Sequence, residues 1–233
     1  MRNSLSFLTL AALSFLLSCS GDIKDAGRSG LVGKVKSFKE VRCDPTRSGD
    51  KWVAGDPLAD DYRVVNFDKD GNFLESFSIA VNGDTLGKST CVRENGDIVE
   101  EVFYSRFWLT PKESRMHQTS KTVLERVSDE QVNYEVWKGD QRASEGANFY
   151  DSKGRLIMQV QVRNNLEETM HYVYEKHLLV ENYKESMTGQ RTVTQLYEYD
   201  DFDKHGNWRL MLIYVDNEKI VPDVAIRREI EYY

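Results

Sequence analysis

From Gly30 onward the chain is built of short stretches in which apolar and polar residues alternate, separated by clusters of Gly, Asn and Asp. A period of two places one residue set on each face of a β-strand. Residues 155–163 are the clearest case: Leu156, Met158, Val160 and Val162 fall in one set, Ile157, Gln159, Gln161 and Arg163 in the other. Phe73, Phe77, Ile79 and Val81 make a second apolar set, Trp208, Leu210, Leu212 and Tyr214 a third, and Val224, Ile226, Ile230 and Tyr232 a fourth. A helical period fits none of them as well.

The separators carry hairpin chemistry. Asn82-Gly83 and Asn95-Gly96 predict type I′ turns, in which both central residues take positive φ. Asp70-Gly71, Gly139-Asp140, Lys153-Gly154, Thr188-Gly189 and His205-Gly206 set glycines between strands, and Asn164-Asn165 and Asp216-Asn217 do the same without one. Short strands joined in this way predict an all-β fold, an antiparallel meander of hairpins in one extended, strongly twisted or partly closed sheet. Residues 104–120 break the rhythm and contain Pro111, which predicts an irregular loop there.

Composition narrows the classes. The 233 residues suffice for one large domain or two small ones. At 40% hydrophobic and 11% aromatic the chain is too apolar to stay disordered, and three cysteines cannot staple a disulfide scaffold. A net charge of −7 opposes a phosphate-tracking surface, so nucleic acid is not an expected partner.

Arg2 gives the N-terminus positive charge, and residues 5–17 are an uncharged run interrupted only by Ser6, Thr9 and Ser14. Such a run is too short to span a membrane, which takes about 20 apolar residues, and reads as the h-region of an export signal. Leu16-Leu17-Ser18-Cys19 resembles the lipobox of bacterial lipoproteins. The resemblance implies cleavage between Ser18 and Cys19, a diacylglyceryl group on the Cys19 sulfur, and attachment to a membrane through that lipid. Ser20 in place of Asp after the cysteine implies the outer membrane. The alternative is an ordinary signal peptide in which Cys19 plays no part. The expected organisation is residues 1–18 as lipoprotein signal peptide, 19–30 as a polar flexible tether, and 31–233 as one β domain. Export is oxidising, so Cys43 and Cys91 are candidates for a disulfide that would contribute about 4 kcal/mol. The alternative is two separate buried thiols.

Three segments share one template, aromatic, Asp, two residues, Gly, polar, apolar: residues 67–73 (FDKDGNF), 150–156 (YDSKGRL) and 202–208 (FDKHGNW). Residues 93–98 are a decayed copy. The Asp supplies an acceptor for the turn's backbone amides. The template resembles the YD repeat of the RHS-like family, whose units are β-hairpins stacked into an extended or closed sheet. Residues 30–37 and 228–233 are similar to the two ends of small exported YD-repeat lipoproteins, and MORN-like repeats share the pattern. In these families the repeat is scaffold, which implies no catalytic residues.

Candidate chemistry is sparse. Asp68 to Asn72 carry oxygens at alternate positions, but an EF-hand would need Gly and a bidentate acid where Phe73 and Ile79 stand, so the segment reads as a turn. Asp200, Asp201 and Asp203 read as a solvated acidic turn in preference to a cation site. His171 and His177 would share a strand face about 20 Å apart, too far for one metal. No metal or cofactor is expected. The neighbouring acids Asp60-Asp61, Glu100-Glu101 and Glu167-Glu168 point to opposite faces of a strand, whereas glycosidase carboxyls stand about 5–10 Å apart across a cleft. The aromatics Phe107, Trp108 and Trp137 are the candidate binding surface for a protein or glycan ligand. The sequence therefore supports a membrane-anchored, exported, non-catalytic binding or envelope-interaction module. The alternatives are a glycan-active hydrolase of the envelope and a purely structural envelope protein.

Overall fold

The alternating stretches are strands. In the computed structural model, which describes residues 25–110, 113–186, 188–215 and 219–233, a short helix α1 (Asp25–Arg28) precedes fifteen strands. These are β1 (Val35–Ser48), β2 (Lys51–Pro57), β3 (Asp61–Phe67), β4 (Phe73–Ala80), β5 (Thr85–Glu94), β6 (Asp97–Thr110), β7 (Glu113–Ser128) and β8 (Gln131–Lys138). They continue with β9 (Gln141–Tyr150), β10 (Leu156–Arg163), β11 (Leu166–Glu175), β12 (Leu178–Glu185), β13 (Arg191–Phe202), β14 (Trp208–Tyr214) and β15 (Val224–Tyr232).

From β3 to β15 each strand pairs antiparallel with the next. The sheet is fully closed, beyond the partial closure expected from the sequence, because β15 returns to β1: Phe38 lies opposite Ile230, Glu40 opposite Arg228 and Cys43 opposite Ala225. Both β2 and β3 run antiparallel to β1, β3 against Ser37 to Glu40 within the wall and β2 against Cys43 to Ser48 beyond it. The result is a barrel of 14 strand positions. Closure removes the unpaired edges that an open sheet presents to other chains.

In a meander alternate turns lie at the same end. The three template turns all lie at one end, the floor, together with the β5–β6, β7–β8 and β11–β12 turns. They share one geometry. Counted from the Asp, in each the first and fifth residues bond through their backbones, the glycine amide returns to the first carbonyl, and the Asp Oδ1 accepts the third and fifth amides at 2.8–3.0 Å. The glycines at the fourth place have φ of 82°, 70° and 85°, a left-handed conformation that only glycine enters without strain. Asn95-Gly96 takes positive φ at both residues as predicted, 53° and 91°, and so does Asn164-Asn165, 51° and 62°. Asn82-Gly83 does not. Only Gly83 is left-handed, and the turn from Ala80 to Asp84 repeats the template's backbone bonds. Its Asn82 side chain accepts the Asp84 amide, which favours this geometry over type I′.

The stretch before β1 is a strap across the floor. The Ala26 amide bonds Gly71 O of the β3–β4 turn, Gly30 packs against His177 O of the β11–β12 turn, and the Val32 amide bonds Asn207 of the β13–β14 turn. Residues 25–30 therefore are not the loose half of a tether. Asp25, 2% exposed, and Ala26 are buried, held by a backbone network that no hydropathy pattern announces. The expected signal, the cleavage site at Ser18 and Cys19, and the first part of the tether lie outside the described residues.

The two faces of the wall differ. Phe38, Val65, Leu124, Val132, Tyr134 and Tyr150, drawn from β1, β3, β7, β8 and β9, form one cluster with Ala26 and Leu31 of the strap. Strands this far apart round the wall meet only inside it. Other inward residues are small and polar: Ser76, Ser144, Asn148 and Asn182 are buried, and Gln159 and Gln161 bond Asn148 and Ser144. β10 thus turns its polar set inward. A second cluster, Val41, Cys43, Leu212, Tyr214 and Ala225, lies on the outer face. It is covered by an arm: beyond Cys43, β1 leaves the wall, pairs with β2 alone, and brings Trp52 and Ala54 onto the cluster. The arm's strands approach so closely at Gly55 that a Cβ there would lie 2.9 Å from Asp44 O.

Two expectations fail on this architecture. Residues 104–120 belong, as far as they are described, to the long hairpin β6–β7; the lone Pro111 lies outside the described residues. The hairpin stands partly clear of the barrel, so both its faces meet solvent and its sequence lacks the alternation of a half-buried strand. The disulfide is absent: Cys43 and Cys91 are both free thiols. Cys43 packs in the outer cluster, whereas Cys91 packs against the lumen cluster from β5. A bridge needs Cβ atoms about 4 Å apart, and these face opposite sides of the wall.

Candidate functional site

Among the described residues a cleft of ≈ 650 Å³ opens between the tip of the arm and the outer wall. The arm supplies Asp50, Lys51 and Trp52. The strand period of two brings Glu198 and Asp200 of β13 to the same outer face, and the β13–β14 register sets Leu212 opposite Glu198. In β12, Val180 is the extra residue of a bulge opposite β11, and it lines the floor of the cleft beside Leu178. Bulges commonly re-aim side chains in this way. Glu175 and Lys176 of the β11–β12 turn and Lys219 complete the rim.

The rim is electrostatically paired. Lys51 Nζ stands 3.4 Å from Asp200 Oδ2, and Lys219 Nζ 3.4 Å from Glu198 Oε1. Tyr214 donates its hydroxyl to Glu198 Oε2 at 2.8 Å. The Asp201 amide holds the Asp200 carboxyl below the ordinary carboxylate range against a small cost of burial, and Lys51 adds to the effect. Arg47 stacks on the Trp52 ring at 5.1 Å and fixes it. The cleft thus combines an aromatic side, an aliphatic floor, and a rim of alternating carboxylates and ammonium groups.

The aromatics singled out in the sequence do not form one surface. Phe107 and Trp108 are 61% and 47% exposed on β6 and, as neighbours in a strand, face opposite sides. Trp137 of β8 pairs across Lys121 with Val102, six residues before Trp108, or about 20 Å along the strand. It donates to Glu135 and is half-buried. Trp52, which the structure places in the cleft, has no sequence signal: its strand carries Gly55 and Pro57 and no clean alternation. Of the acidic group at residues 200–203, Asp200 joins the cleft, and Asp203 instead caps its turn and accepts from Tyr232.

The lumen floor holds a second charged group. Asp25 accepts the Phe73 amide at 2.7 Å and pairs with Arg93. Beside it Glu101, enclosed near Arg63 and Arg93, has its carboxyl pushed up to about 8 by burial, with Asp25 adding to the effect and the two arginines opposing it. This group ties the strap to the wall.

No family model matches this chain, and no curated protein matches it. Among solved structures it is similar to a porin-like protein from Bacteroides uniformis (8% identity, 86% of this chain and 99% of that one, TM-score 0.43). It is also similar to one from Bacteroides vulgatus (12%, 85% and 98%, TM-score 0.46). A Tc holotoxin pore from Photorhabdus luminescens matches over 76% of this chain and 15% of its own, at 13% identity and a TM-score of 0.17. Likenesses this remote do not bear on activity, and the closed barrel rests on its own strand pairing.

Proposed function

We propose that this is an exported protein held to a membrane by lipid on Cys19, whose barrel is a non-catalytic binding module with the arm-covered cleft as its site. The observation that carries the reading is the chemistry of the outer wall. Cross-strand ion pairs link β1 to β15, β4 to β5, β6 to β7, β8 to β9 and β12 to β13 on that face: Lys39–Glu229, Glu75–Lys88, Glu100–Lys121, Glu135–Arg142 and Glu181–Arg191. In a bilayer-facing band each such cation would cost about 2–4 kcal/mol near the midplane. The wall suits water, so the barrel needs a separate anchor, and the lipobox-like segment provides one. Lipid on two or three chains holds a protein lastingly, at about 0.8 kcal/mol per buried methylene.

A hydrolase acting in the cleft is the second reading, favoured by Glu198 and Asp200 lying on one face. A general acid needs a raised carboxyl, and Asp200 is shifted the other way. Metabolic labelling with palmitate tests the anchor. The full chain takes up label and its Cys19→Ala variant does not; an unlabelled wild type overturns the anchored reading.

A further inference from the structure

We infer that the cleft beneath the arm takes a neutral oligosaccharide, a proposal that rests on its being the binding site. The argument is one of matching. Trp52 offers an aromatic side, and Leu178, Val180 and Leu212 an aliphatic floor, against which the C–H face of a pyranose ring packs. The rim alternates acceptors, Asp50, Glu175, Glu198 and Asp200, with donors, Lys51, Lys176 and Lys219. Sugar hydroxyls both donate and accept, so such a rim can pair with them throughout. An anionic ligand would face the carboxylates and a cationic one the lysines. An apolar ligand would strip water from both without replacing its bonds. The cleft is partly open to solvent and its ≈ 650 Å³ holds a few sugar rings. The Lys51–Asp200 and Lys219–Glu198 pairs on the rim are exposed and 3.4 Å long, so sugar hydroxyls can exchange into them at small cost.

The test uses the full chain carrying Cys19→Ala, probed by calorimetry with maltohexaose, cellohexaose and chitohexaose, and with polygalacturonate and chitosan as charged comparators. At least one neutral hexasaccharide binds, tenfold or more tighter than either charged polymer. Trp52→Ala weakens it tenfold or more, and Trp52→Phe restores it to within about threefold. Because Trp52 also packs the arm, Asp200→Asn serves as the second variant: it leaves the arm's packing in place and still weakens binding. Trp108→Ala, on the distant hairpin, leaves binding unchanged. Absence of binding to all three neutral sugars, or binding indifferent to both Trp52→Ala and Asp200→Asn, overturns the proposal. A peptide that binds in the cleft while the sugars do not would overturn the sugar and leave the binding module standing.

Discussion

Gly146 faces the lumen on β9, opposite Tyr134 of β8, and a Cβ there would lie 2.6 Å from the tyrosine hydroxyl and 2.0 Å from Val160 O. The ring lies over the glycine and its hydroxyl donates to Val160 O, an aromatic filling the space a side chain would take. Gly146→Ala therefore costs about 1–3 kcal/mol through overpacking, read as a lower urea midpoint at unchanged slope; an unchanged midpoint would show that the Tyr134 ring and the β10 backbone at Val160 both move freely aside. Glu101 makes a prediction in pH. Its folded carboxyl titrates at about 8, above the ordinary 4.5, so between those values the folded state holds a proton that the unfolded state has released. The group's contribution is fully present below about pH 4.5 and is lost as pH rises toward 8. Against wild type, Glu101→Gln should gain relative stability steadily across that window. A difference that is flat with pH would mean that Arg63 and Arg93 keep Glu101 ionised.

At the scale of elements, the seam between β1 and β15 closes the wall. It holds a nearly buried pair: Arg228 donates through Nε to Glu40 Oε1 at 3.0 Å, with its guanidinium between Phe38 and Trp208, 4.6 and 3.5 Å from their rings. Removing one partner of such a pair leaves the other charge unmet, at about 3–5 kcal/mol. Arg228→Ala should lower stability by that order. Arg228→Lys should recover little, since an ammonium cannot fork to the carboxylate or stack flat between two rings. Full recovery by Lys would show that charge alone matters. The seam also shows what alternation can reveal. The strands of β3 to β15, the outer half of the β6–β7 hairpin excepted, were legible with their turn glycines because each has neighbours on both sides and two unlike faces. The pairing of the first strand with the last was not, because it joins residues almost two hundred apart and nothing local encodes it. The arm escaped notice for another reason: Gly55 and Pro57 interrupt its pattern, and its apolar residues, Trp52 and Ala54, are matched to a cluster on the wall. The cysteine pairing failed because compartment and count say nothing about which face a strand residue occupies. Of the cleft's charged residues only Asp200 stood out in the sequence, and for a different reason.

At the scale of the molecule, the strap decides how an anchored barrel would stand. Asp25 is fixed beneath the β3–β4 turn by Phe73 and Arg93, and five residues lie between it and Cys19, a reach of at most about 22 Å. A lipid on Cys19 therefore holds the floor, with its template turns, near the membrane and turns the β6–β7 hairpin and the β8–β9 turn away from it. The floor turns mix Lys69, Lys153 and Lys204 with Asp70 and Asp129, so their charge selects no leaflet and the tether alone sets the orientation. The consequence can be measured on the lipidated full chain in vesicles containing headgroup spin-labelled lipid, with a fluorophore on Lys153→Cys at the floor or on Asp140→Cys at the opposite end. Both positions are exposed, whereas Cys43 is buried and Cys91 half-buried, their thiols pushed up by burial and slow to label. The Lys153→Cys fluorophore should be strongly quenched and the Asp140→Cys fluorophore nearly unaffected, because strands of eight to ten residues, about 30 Å, separate the two ends. Equal quenching at both ends would mean that the barrel lies on its side, and the reverse order would mean that the strap releases Asp25 when the chain is anchored. Either result would overturn the orientation while leaving the anchor intact, since an unlipidated chain would not join the vesicles at all.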